Sequence, residues 1–430
     1  MSASLNRRTF LLGTLAAPLL PATVARAVQA DKVRLGIIGT GGRGQGNWAG
    51  VADEAVLVLC DVDLARTAEA AKRFPSADVV QDFRRVVERK DLDGVVISTP
   101  DHWHAIPAVW AMQNDKHVYC EKPLAHTVYE CRVMADTARK RKRATQMGTQ
   151  IHAGTNYRRV VELVQGGAIG TVRRVEVWCE RKPDRGRVAS TGMSIPSTLD
   201  YDLWVGPAPM RPFDPNVVPF HWRWWWEFGG GVLGDMGCHY MDLAHWALDL
   251  RNPERVSAVG TRFSDADNTV PVELQADFHY TAKKARPAVH LTWYHGDPGP
   301  KGEDGRVRNY GTRNGVLFHG EKGQLVADYG MHRLLPEADF AGFSRPSPTI
   351  PDSVGHHQEW INAIKNGTPT TCNFDYSGAL AETVLLGNVA FRLGKEIEWD
   401  SKRLKVKNVP ESEWGPLVRR EYRGDWKLMG

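Results

Sequence analysis

The first third of the chain alternates short apolar runs with segments of helical periodicity. Apolar residues recur at helical spacing in Leu64–Phe74, Ala105–Asn114 and Val128–Arg141. The apolar runs, which we predict to be strands, are Val33–Ile38, Ala55–Cys60, Gly94–Ser98, His117–Cys120 and Ala144–Met147. Strands that are apolar throughout and separated by helices are typical of a parallel sheet covered on both faces. The pattern therefore predicts an α/β domain over residues 31–152.

From about residue 172 the apolar runs become longer and partly alternate with polar positions. These predicted strands are Val172–Glu180, Val256–Phe263, Val272–Tyr280, Val289–Tyr294, Gly315–His319 and Gly323–Asp328. Helical spacing recurs in Gly237–Leu248, Gly355–Asn366 and Ser377–Leu393. The alternation predicts a second α/β domain, over residues 153–400, with a large open, mostly antiparallel sheet. We expect the charged tail, residues 401–430, to pack as an irregular strap.

The N-terminal segment has the features of an export signal rather than of a folded element. A short apolar run to Leu20 precedes Ala25-Arg26-Ala27, a small-x-small cleavage site. The preceding Arg7-Arg8-Thr9-Phe10-Leu11 resembles a twin-arginine signal, and a general secretion signal with two arginines is the alternative. We therefore expect residues 1–27 to be removed after passage through the twin-arginine export machinery, which leaves the protein periplasmic or otherwise exported. No cysteine lies at the cleavage point after Ala27, so we expect no lipid anchor to a membrane.

The composition changes this picture little. The chain is 42% hydrophobic and 24% charged, as in ordinary globular proteins, and its net charge is +5. Residues 1–27 contribute three arginines and no acid, so the mature chain is close to neutral and we expect no nucleic-acid partner. The six cysteines form no CxxC pair and no zinc spacing. We predict buried free thiols, although an exported protein could form disulfides.

A glycine-rich turn follows the first predicted strand. Gly39-Thr40-Gly41-Gly42-Arg43-Gly44 matches G-x-G-x-x-G at the position where a helix begins, so backbone N–H groups could receive a pyrophosphate. Asp61 ends the second strand, at the spacing expected of a carboxylate that binds the adenosine ribose. The sequence therefore predicts a dinucleotide-binding Rossmann domain that prefers NAD to NADP. Arg43 and Arg66 weaken that preference, because either could pair with a 2′-phosphate.

Polar residues also follow the fourth and fifth strands, where ligands of such sheets bind. We expect Thr99, Pro100 and His104 to lie beside the cofactor, although His104 could simply start the next helix. Glu121 and Lys122 follow the fifth strand, ahead of Pro123, and we expect both to lie at the cofactor as well. Lys122 could hold a substrate oxygen and stabilise its developing negative charge, the alternative being a surface lysine.

A further cluster lies at the start of a predicted helix. Asp235, His239 and Asp242 are spaced by four and three residues, which places them on one face of the helix. A histidine near its natural pKa, oriented by a carboxylate, is the usual general base. A structural helix cap is an alternative, and a metal site lacks a supporting pattern, so we predict no metal.

The tryptophan-rich segment His221-Trp222-Arg223-Trp224-Trp225-Trp226 lies just before this cluster. Trp222 could pack against a sugar ring and Arg223 could bind its hydroxyl or carboxylate groups. A core or an oligomer interface would use the same residue types. Both interpretations stay open.

Together, the GTGGRG turn, Thr-Pro-Asp-His-Trp-His, Glu121-Lys122-Pro123 and Gly-Asp-x-x-x-His-x-x-Asp resemble the glucose–fructose oxidoreductase/inositol dehydrogenase family, Gfo/Idh/MocA. The segment Leu386–Gly394 is similar to the exported, larger branch of that family. The resemblance covers residues 33–400. It implies that Lys122, Asp235 and His239 are catalytic, that Asp61 binds ribose, and that the second sheet forms a dimer or tetramer interface.

From these features we expect an NAD-dependent oxidoreductase acting on a secondary alcohol of a sugar, glycoside or cyclitol, with tightly held cofactor. His239 would act as base, Lys122 would hold the substrate oxygen, and Asp235 would orient the substrate or His239. Asp242 and His152 are further candidates at the substrate, and His152 is the next candidate base. The alternatives are a glycoside hydrolase or lyase that uses bound NAD without net oxidation, and a non-catalytic sugar-binding protein.

Overall fold

The computed structural model describes residues 32–184, 193–263, 270–283, 286–296, 299–300 and 306–429. The predicted signal, residues 1–27, lies outside the described residues. The described helices are, in chain order, α1 Arg43–Gly50, α2 Ala68–Arg73, α3 Arg84–Val87, α4 Ala105–Gln113, α5 Val128–Arg141, α6 Thr155–Gln165, α7 Tyr201–Val205, α8 Gly231–Leu248, α9 His356–Asn366, α10 Phe374–Leu393 and α11 Glu411–Val418. Short 3-10 helices are formed by Leu64–Thr67, Asp101–Trp103, Gln150–Ala153, His221–Trp224 and Glu337–Phe340.

The first sheet is parallel and has six strands in the order β3-β2-β1-β4-β5-β6. These strands are β1 Arg34–Ile38, β2 Ala55–Cys60, β3 Asp78–Val80, β4 Gly94–Ile97, β5 His117–Cys120 and β6 Thr145–Met147. The central β1 pairs with both β2 and β4, and side chains such as Leu35 and Val95 are fully buried. This order reverses direction between β1 and β4, which opens a crevice beyond their carboxyl ends. The predicted Rossmann sheet is confirmed.

The second sheet has nine strands, in the order β13-β12-β11-β7-β10-β9-β8-β14-β15. They are β7 Val172–Cys179, β8 Arg255–Thr261, β9 Glu273–Tyr280, β10 Val289–His295, β11 Asn314–Gly320, β12 Gly323–Ala327, β13 His332–Leu335, β14 Ile397–Asp400 and β15 Lys405–Val406. Strand β10 is parallel to β7, and the other pairings are antiparallel. The burial of β9 alternates residue by residue, with Phe278 buried and Asp277 only half-buried. A mostly antiparallel sheet with one polar face, as predicted, is confirmed.

Helices α8 and α10 cover the apolar face of the second sheet and pack on each other. A Cβ atom on Gly237 would lie 2.9 Å from Val384 of α10, and one on Gly387 would lie 2.6 Å from Leu233 of α8. The glycines therefore let the two helices approach closely. Helix α8 begins at Gly231, six residues before its predicted start, because tertiary packing outweighs the low helix propensity of Gly231 and Gly234.

The C-terminal tail is more ordered than the predicted irregular strap. It contains β15 and α11, and the residues after α11 pack on the Rossmann domain. The Trp426 ring lies 4.8 Å from Trp103 and 5.9 Å from Phe83, centroid to centroid. Arg420 donates to Glu130 and to the backbone carbonyl of His102. The tail thus packs on the Rossmann domain at the residue before α3, at the 3-10 helix Asp101–Trp103 and at α5.

All six cysteines are buried and free, which confirms the prediction of buried thiols. Among the described residues, no helix is both long enough and apolar enough to cross a membrane.

Candidate active site

A cavity of about 780 Å³ opens beyond the carboxyl ends of the first sheet's strands. It extends from the glycine-rich turn to the start of α8. The predicted site residues that line it are Gly39, Gly41, Gly42, Arg43, Asp61, Thr99, Pro100, Glu121, Lys122, Trp222, Arg223, Asp235 and His239. The fold therefore brings together two groups of residues, Gly39–Lys122 and Trp222–His239, that lie 100 positions apart in the sequence.

The glycines of the turn are required by its geometry. Gly39 has a φ of 85° and Gly42 a φ of 56°, which other residues rarely adopt. A Cβ atom on Gly44 would overlap the carbonyl oxygen of Gly39, so Gly44 holds α1 against β1 rather than lining the cavity. One on Gly41 would overlap the Arg66 guanidinium. The turn thus presents bare backbone at the amino end of a helix, as a pyrophosphate requires.

Asp61 lies beside this turn and holds its backbone. Its carboxylate accepts hydrogen bonds from the backbone N–H groups of Thr40 at 2.9 Å and Asp63 at 3.1 Å, and from the Thr40 hydroxyl at 3.2 Å. The residue is almost buried yet borders the cavity. This position suits an acceptor for ribose hydroxyls, and it also stabilises the turn.

The two arginines near the turn differ in their contacts. Arg43 Nε lies 3.3 Å from Glu121 Oε1, and that carboxylate also accepts from Asn47 and Gln150 at 2.9 Å. Burial would raise the pKa of Glu121, but the charges of Lys122 and Arg43 and these hydrogen bonds lower it below its usual value. Glu121 is therefore ionised and paired. Arg66 covers the Gly41 backbone at the cavity edge.

Thr99 and Pro100 line the cavity after β4, but His104 does not. His104 is buried, and its ring nitrogens lie 2.7 Å from the Pro123 carbonyl and 2.9 Å from the Thr99 carbonyl. We therefore correct the expectation that His104 lies beside the cofactor. Its two hydrogen bonds connect the loop after β4 to the loop after β5, outside the cavity lining.

Lys122 and Asp235 form an ion pair at the inner end of the cavity. Lys122 Nζ donates to Asp235 Oδ1 at 2.7 Å and to the Asp235 carbonyl at 3.0 Å. Arg181 also binds the Asp235 carboxylate, and Arg223 Nε lies 3.3 Å from it. Burial alone would raise the pKa of Asp235, but the charges of Lys122, Arg223 and Arg181 hold it below its usual value. Asp235 thus positions the Lys122 ammonium, and its carboxylate is engaged by cations rather than by His239.

His239 lines the same cavity one helical turn after Asp235. Burial lowers the pKa of the His239 imidazole to about 4, and the positive charge of Lys122 acts in the same direction. The ring is therefore neutral at pH 7, the form that can accept a proton. Its Nδ1 is buried and has no hydrogen-bond partner among the described residues.

His152 and Asp242 do not lie at the cavity, so their expected contact with substrate is wrong. Both are fully buried, and His152 Nδ1 lies 3.0 Å from each carboxylate oxygen of Asp242. The Tyr376 hydroxyl donates to Asp242 at 2.7 Å, and the Trp246 ring stacks on His152 with centroids 4.1 Å apart. These contacts form a structural network that joins α8 to α10.

The tryptophan-rich segment divides between the two interpretations that its composition allowed. Trp222 and Arg223 border the cavity, and the Arg223 guanidinium lies 4.3 Å from the Trp222 ring centroid. Trp224 and Trp225 are buried in the core. Two residues of the segment therefore face the cavity, and two others pack in the core.

Further residues that were not predicted from the sequence line the cavity, among them Asp101, Arg181 and Tyr329. Asp101 follows β4, and burial raises the pKa of its carboxyl to about 8, against the charges of Arg223 and Lys122. Arg181 follows β7 by two residues, and this position at the end of a strand could have indicated it. Tyr329 comes from the second sheet, and no local pattern indicates it. Within the described residues, no group of three His, Cys, Asp or Glu side chains could hold a metal ion.

The fold and cavity define a dinucleotide-dependent oxidoreductase. Residues 33–149 match the model described as an oxidoreductase family, NAD-binding Rossmann fold, and residues 154–428 match the C-terminal alpha/beta domain of the same family. The chain therefore belongs to the Gfo/Idh/MocA oxidoreductase family and binds NAD.

Relatives within this family include sugar dehydrogenases. The chain is 27% identical to levoglucosan dehydrogenase of Pseudarthrobacter phenanthrenivorans over 336 residues, which are 70% of this chain and 74% of the relative. It is 33% identical to a glycosyl hydrolase family 109 protein of Shewanella woodyi, but over only 32% of either chain. The WlbA dehydrogenase of Chromobacterium violaceum, solved with NADH and UDP-GlcNAcA, superposes with a TM-score of 0.60 at 18% identity, covering 90% of this chain and 99% of that one.

Proposed function

We propose that the protein transfers a hydride between NAD and a secondary alcohol of a sugar, glycoside or cyclitol. The observation that carries this proposal is that a half-buried ammonium, Lys122, and a neutral imidazole, His239, line the same cavity as the dinucleotide turn. Levoglucosan dehydrogenase, a relative over 70% of this chain, supports an alcohol substrate of the carbohydrate class.

In the oxidation direction the chemistry balances with the residues present. Bound NAD would supply the hydride acceptor for the carbinol carbon, so that the alcohol would become a ketone. His239 removes the hydroxyl proton, which its neutral form can accept. Lys122 donates to the same oxygen and stabilises its negative charge in the transition state. Asp235 holds the ammonium in place through its 2.7 Å contact.

The direct test is to denature the purified mature protein and identify the nucleotide that is released. A panel of glycosides and cyclitols is then screened for NADH formation at 340 nm. The proposal predicts NAD in the released fraction and a keto product from at least one alcohol. A folded, NAD-loaded protein that oxidises no member of the panel would contradict it.

A redox-assisted glycoside hydrolase or lyase is the second candidate. It is favoured by local identity to glycosyl hydrolase family 109 proteins, confined to about a third of the chain. Such an enzyme would release aglycone from an aryl glycoside without added NAD and without accumulation of NADH. The proposed dehydrogenase would release none.

We further propose that the chain is exported and works as a homo-oligomer. Arg7 and Arg8 support the twin-arginine route, and changing both to Lys is expected to stop export without loss of folded, active protein in the cytosol. Normal export of that variant would favour the general secretion route. The polar face of the second sheet supports an oligomer interface, which analytical ultracentrifugation would detect as a dimer or tetramer.

A further inference from the structure

Three basic side chains converge on one carboxylate at the inner end of the cavity. Lys122 Nζ lies 2.7 Å from Asp235 Oδ1, Arg223 Nε lies 3.3 Å from it, and Arg181 binds the other oxygen. The three cations come from separate parts of the chain: the end of β5, the loop after β7 and the tryptophan-rich segment. The chain thus assembles more positive charge here than one carboxylate can neutralise.

The other carboxyl groups at this end of the cavity do not cancel the excess. Glu121 is paired with Arg43 and accepts from Asn47 and Gln150. Asp101 is buried, and burial raises the pKa of its carboxyl to about 8, so it is mostly neutral at pH 7. Lys122, Arg181 and Arg223 therefore face one ionised carboxylate, that of Asp235. The local net charge is about +2.

The dinucleotide does not account for this excess. Its pyrophosphate belongs at the glycine turn, where Arg43 and Arg66 already border the cavity. Arg181 and Arg223 instead contact Asp235 in the second turn of α8, one helical turn before His239. The surplus charge therefore lies on the side of the cavity that we assign to the substrate.

The two guanidinium groups are held by aromatic rings and keep donors free. Arg223 lies 4.3 Å from the Trp222 centroid and 4.6 Å from that of Phe220, and Arg181 lies 5.3 Å from that of Trp224. Arg181 uses Nη1 for its contact with Asp235, and Arg223 uses Nε for Asp235 and Nη1 for the Phe220 carbonyl. Among the described residues, the Nη2 of neither guanidinium makes a hydrogen bond. A fixed guanidinium with a free edge suits an anionic oxygen group.

We propose that the preferred substrate is an acidic sugar, whose ring carries a carboxylate or a phosphate ester that pairs with Arg181 and Arg223. The reacting hydroxyl of the same ring meets Lys122 and His239. This inference rests on the proposed dehydrogenase function and adds the class of substrate to it.

The test compares three substrates that share one ring, with the NAD-loaded full-length mature protein. They are methyl glucoside, methyl glucuronide and methyl glucoside 6-phosphate, and NADH formation gives kcat/KM for each. We expect the acidic sugars to exceed the neutral one by about 10- to 100-fold, as for hydrogen bonds to charged groups. The comparison of glucuronide with phosphate ester shows which anion the site takes.

Arg181→Gln and Arg223→Gln should each lower the ratio of acidic to neutral kcat/KM by about tenfold or more. Arg255→Gln, on β8 of the second sheet, where Arg255 forms an exposed pair with Glu396, is the matched control and should keep the wild-type ratio. Thermal unfolding and NAD content establish that each variant is folded. If a variant does not fold, the wild-type ratio alone decides.

Equal or better turnover of the neutral glycoside would overturn the inference and leave the proposed function intact. The same holds if neutral cyclitols are oxidised while both acidic sugars are not, or if folded arginine variants keep the wild-type ratio. If no alcohol at all is oxidised by the NAD-loaded protein, the proposed function itself fails.

Discussion

At the scale of single residues, the site depends on two groups whose protonation states complement each other. Lys122 is fixed by Asp235, and His239 is kept neutral because burial lowers its pKa to about 4. A charged donor and a neutral acceptor can therefore act on one hydroxyl at pH 7.

His239→Ala is expected to lower kcat by about 10²- to 10⁴-fold, because it removes the proton acceptor. NAD affinity, measured by titration calorimetry, should stay within a few-fold of wild type, since the imidazole lies on the substrate side. The control is His245→Ala on the same helix, whose ring lies 3.1 Å from the Tyr280 hydroxyl, away from the cavity. That variant should lower Tm and leave kcat of the folded protein unaltered. Loss of the nucleotide from His239→Ala would instead indicate a structural role.

Asp61→Ala is expected to weaken NAD binding and to narrow the preference over NADP. The carboxylate faces the nucleotide end of the cavity, where it would bind ribose hydroxyls and repel a 2′-phosphate. Because Asp61 also accepts from the Thr40 and Asp63 N–H groups, the variant should lose some thermal stability. Asp61→Asn removes the negative charge and keeps one oxygen that can accept a hydrogen bond. This variant should therefore lose the preference for NAD over NADP, and its Tm should fall less than that of Asp61→Ala. Unchanged affinities for both nucleotides would remove Asp61 from the cofactor site.

Several residues of the candidate site were predictable from the sequence because they are polar and stand directly after a predicted strand. Asp61, Thr99 and Lys122 each follow a buried strand, and the carboxyl ends of parallel strands meet at one edge. Asp242 was wrongly placed at the substrate, because helical spacing shows only that it shares a helix face with Asp235. Seven residues advance a helix by about 10 Å, which carries Asp242 past the cavity and into the packing of α10.

At the scale of elements, the strand–turn–helix from β1 to α1 decides whether a dinucleotide can bind. Gly44→Ala places a methyl group against the carbonyl oxygen of Gly39. Overpacking of this kind costs about 1–3 kcal/mol, so NAD affinity should fall by roughly 5- to 150-fold if the turn is displaced. Gly342→Ala is the control, because its added Cβ would have no neighbour within 4 Å. A Gly44→Ala protein with wild-type affinity would show that the turn relaxes without affecting the nucleotide.

The boundaries of elements were predictable where local signals agree with tertiary packing. Helix α5 begins and ends as predicted, because Thr127 and Glu130 form a capping box at its start. Helix α8 begins earlier than predicted, since its glycines disfavour a helix locally but allow contact with α10. The short α11 and the packing of Trp426 depend on contacts with distant residues, which the tail's own pattern does not contain.

At the scale of the whole molecule, the sequence allowed us to predict whether each sheet is parallel or mostly antiparallel. It did not allow us to predict which strands pair with which. Continuous apolar runs indicated the parallel sheet, and alternation indicated the open one. The parallel pairing of β10 with β7 joins strands more than 100 residues apart, so it depends on which partners complete the core rather than on either strand alone. The positions of Arg181 and Tyr329 in the candidate site also depend on this pairing of strands, because Arg181 follows β7 and Tyr329 follows β12.

The large core also contains several histidines that burial keeps neutral. Burial lowers the pKa of His102 and His245 to about 3 and that of His295 to about 4. Unfolded histidine titrates near 6.5, so below that pH the unfolded chain binds protons that the folded chain does not. The free energy of unfolding must then fall as the pH decreases from about 7 towards 4. Each such histidine contributes on the order of 3 kcal/mol to this loss once the pH reaches the folded pKa.

We therefore expect Tm to fall steeply between pH 7 and pH 4.5, with net proton uptake on unfolding at pH 5.5. Calorimetry in two buffers of different ionisation enthalpy measures that uptake. His245→Gln removes one titrating group and keeps a polar side chain beside the Tyr280 hydroxyl, so it should reduce the uptake by about one proton. His221→Gln, at a half-exposed histidine, should change the uptake less. A Tm independent of pH over this range, or proton release on unfolding, would mean that the buried histidines are charged in the folded protein.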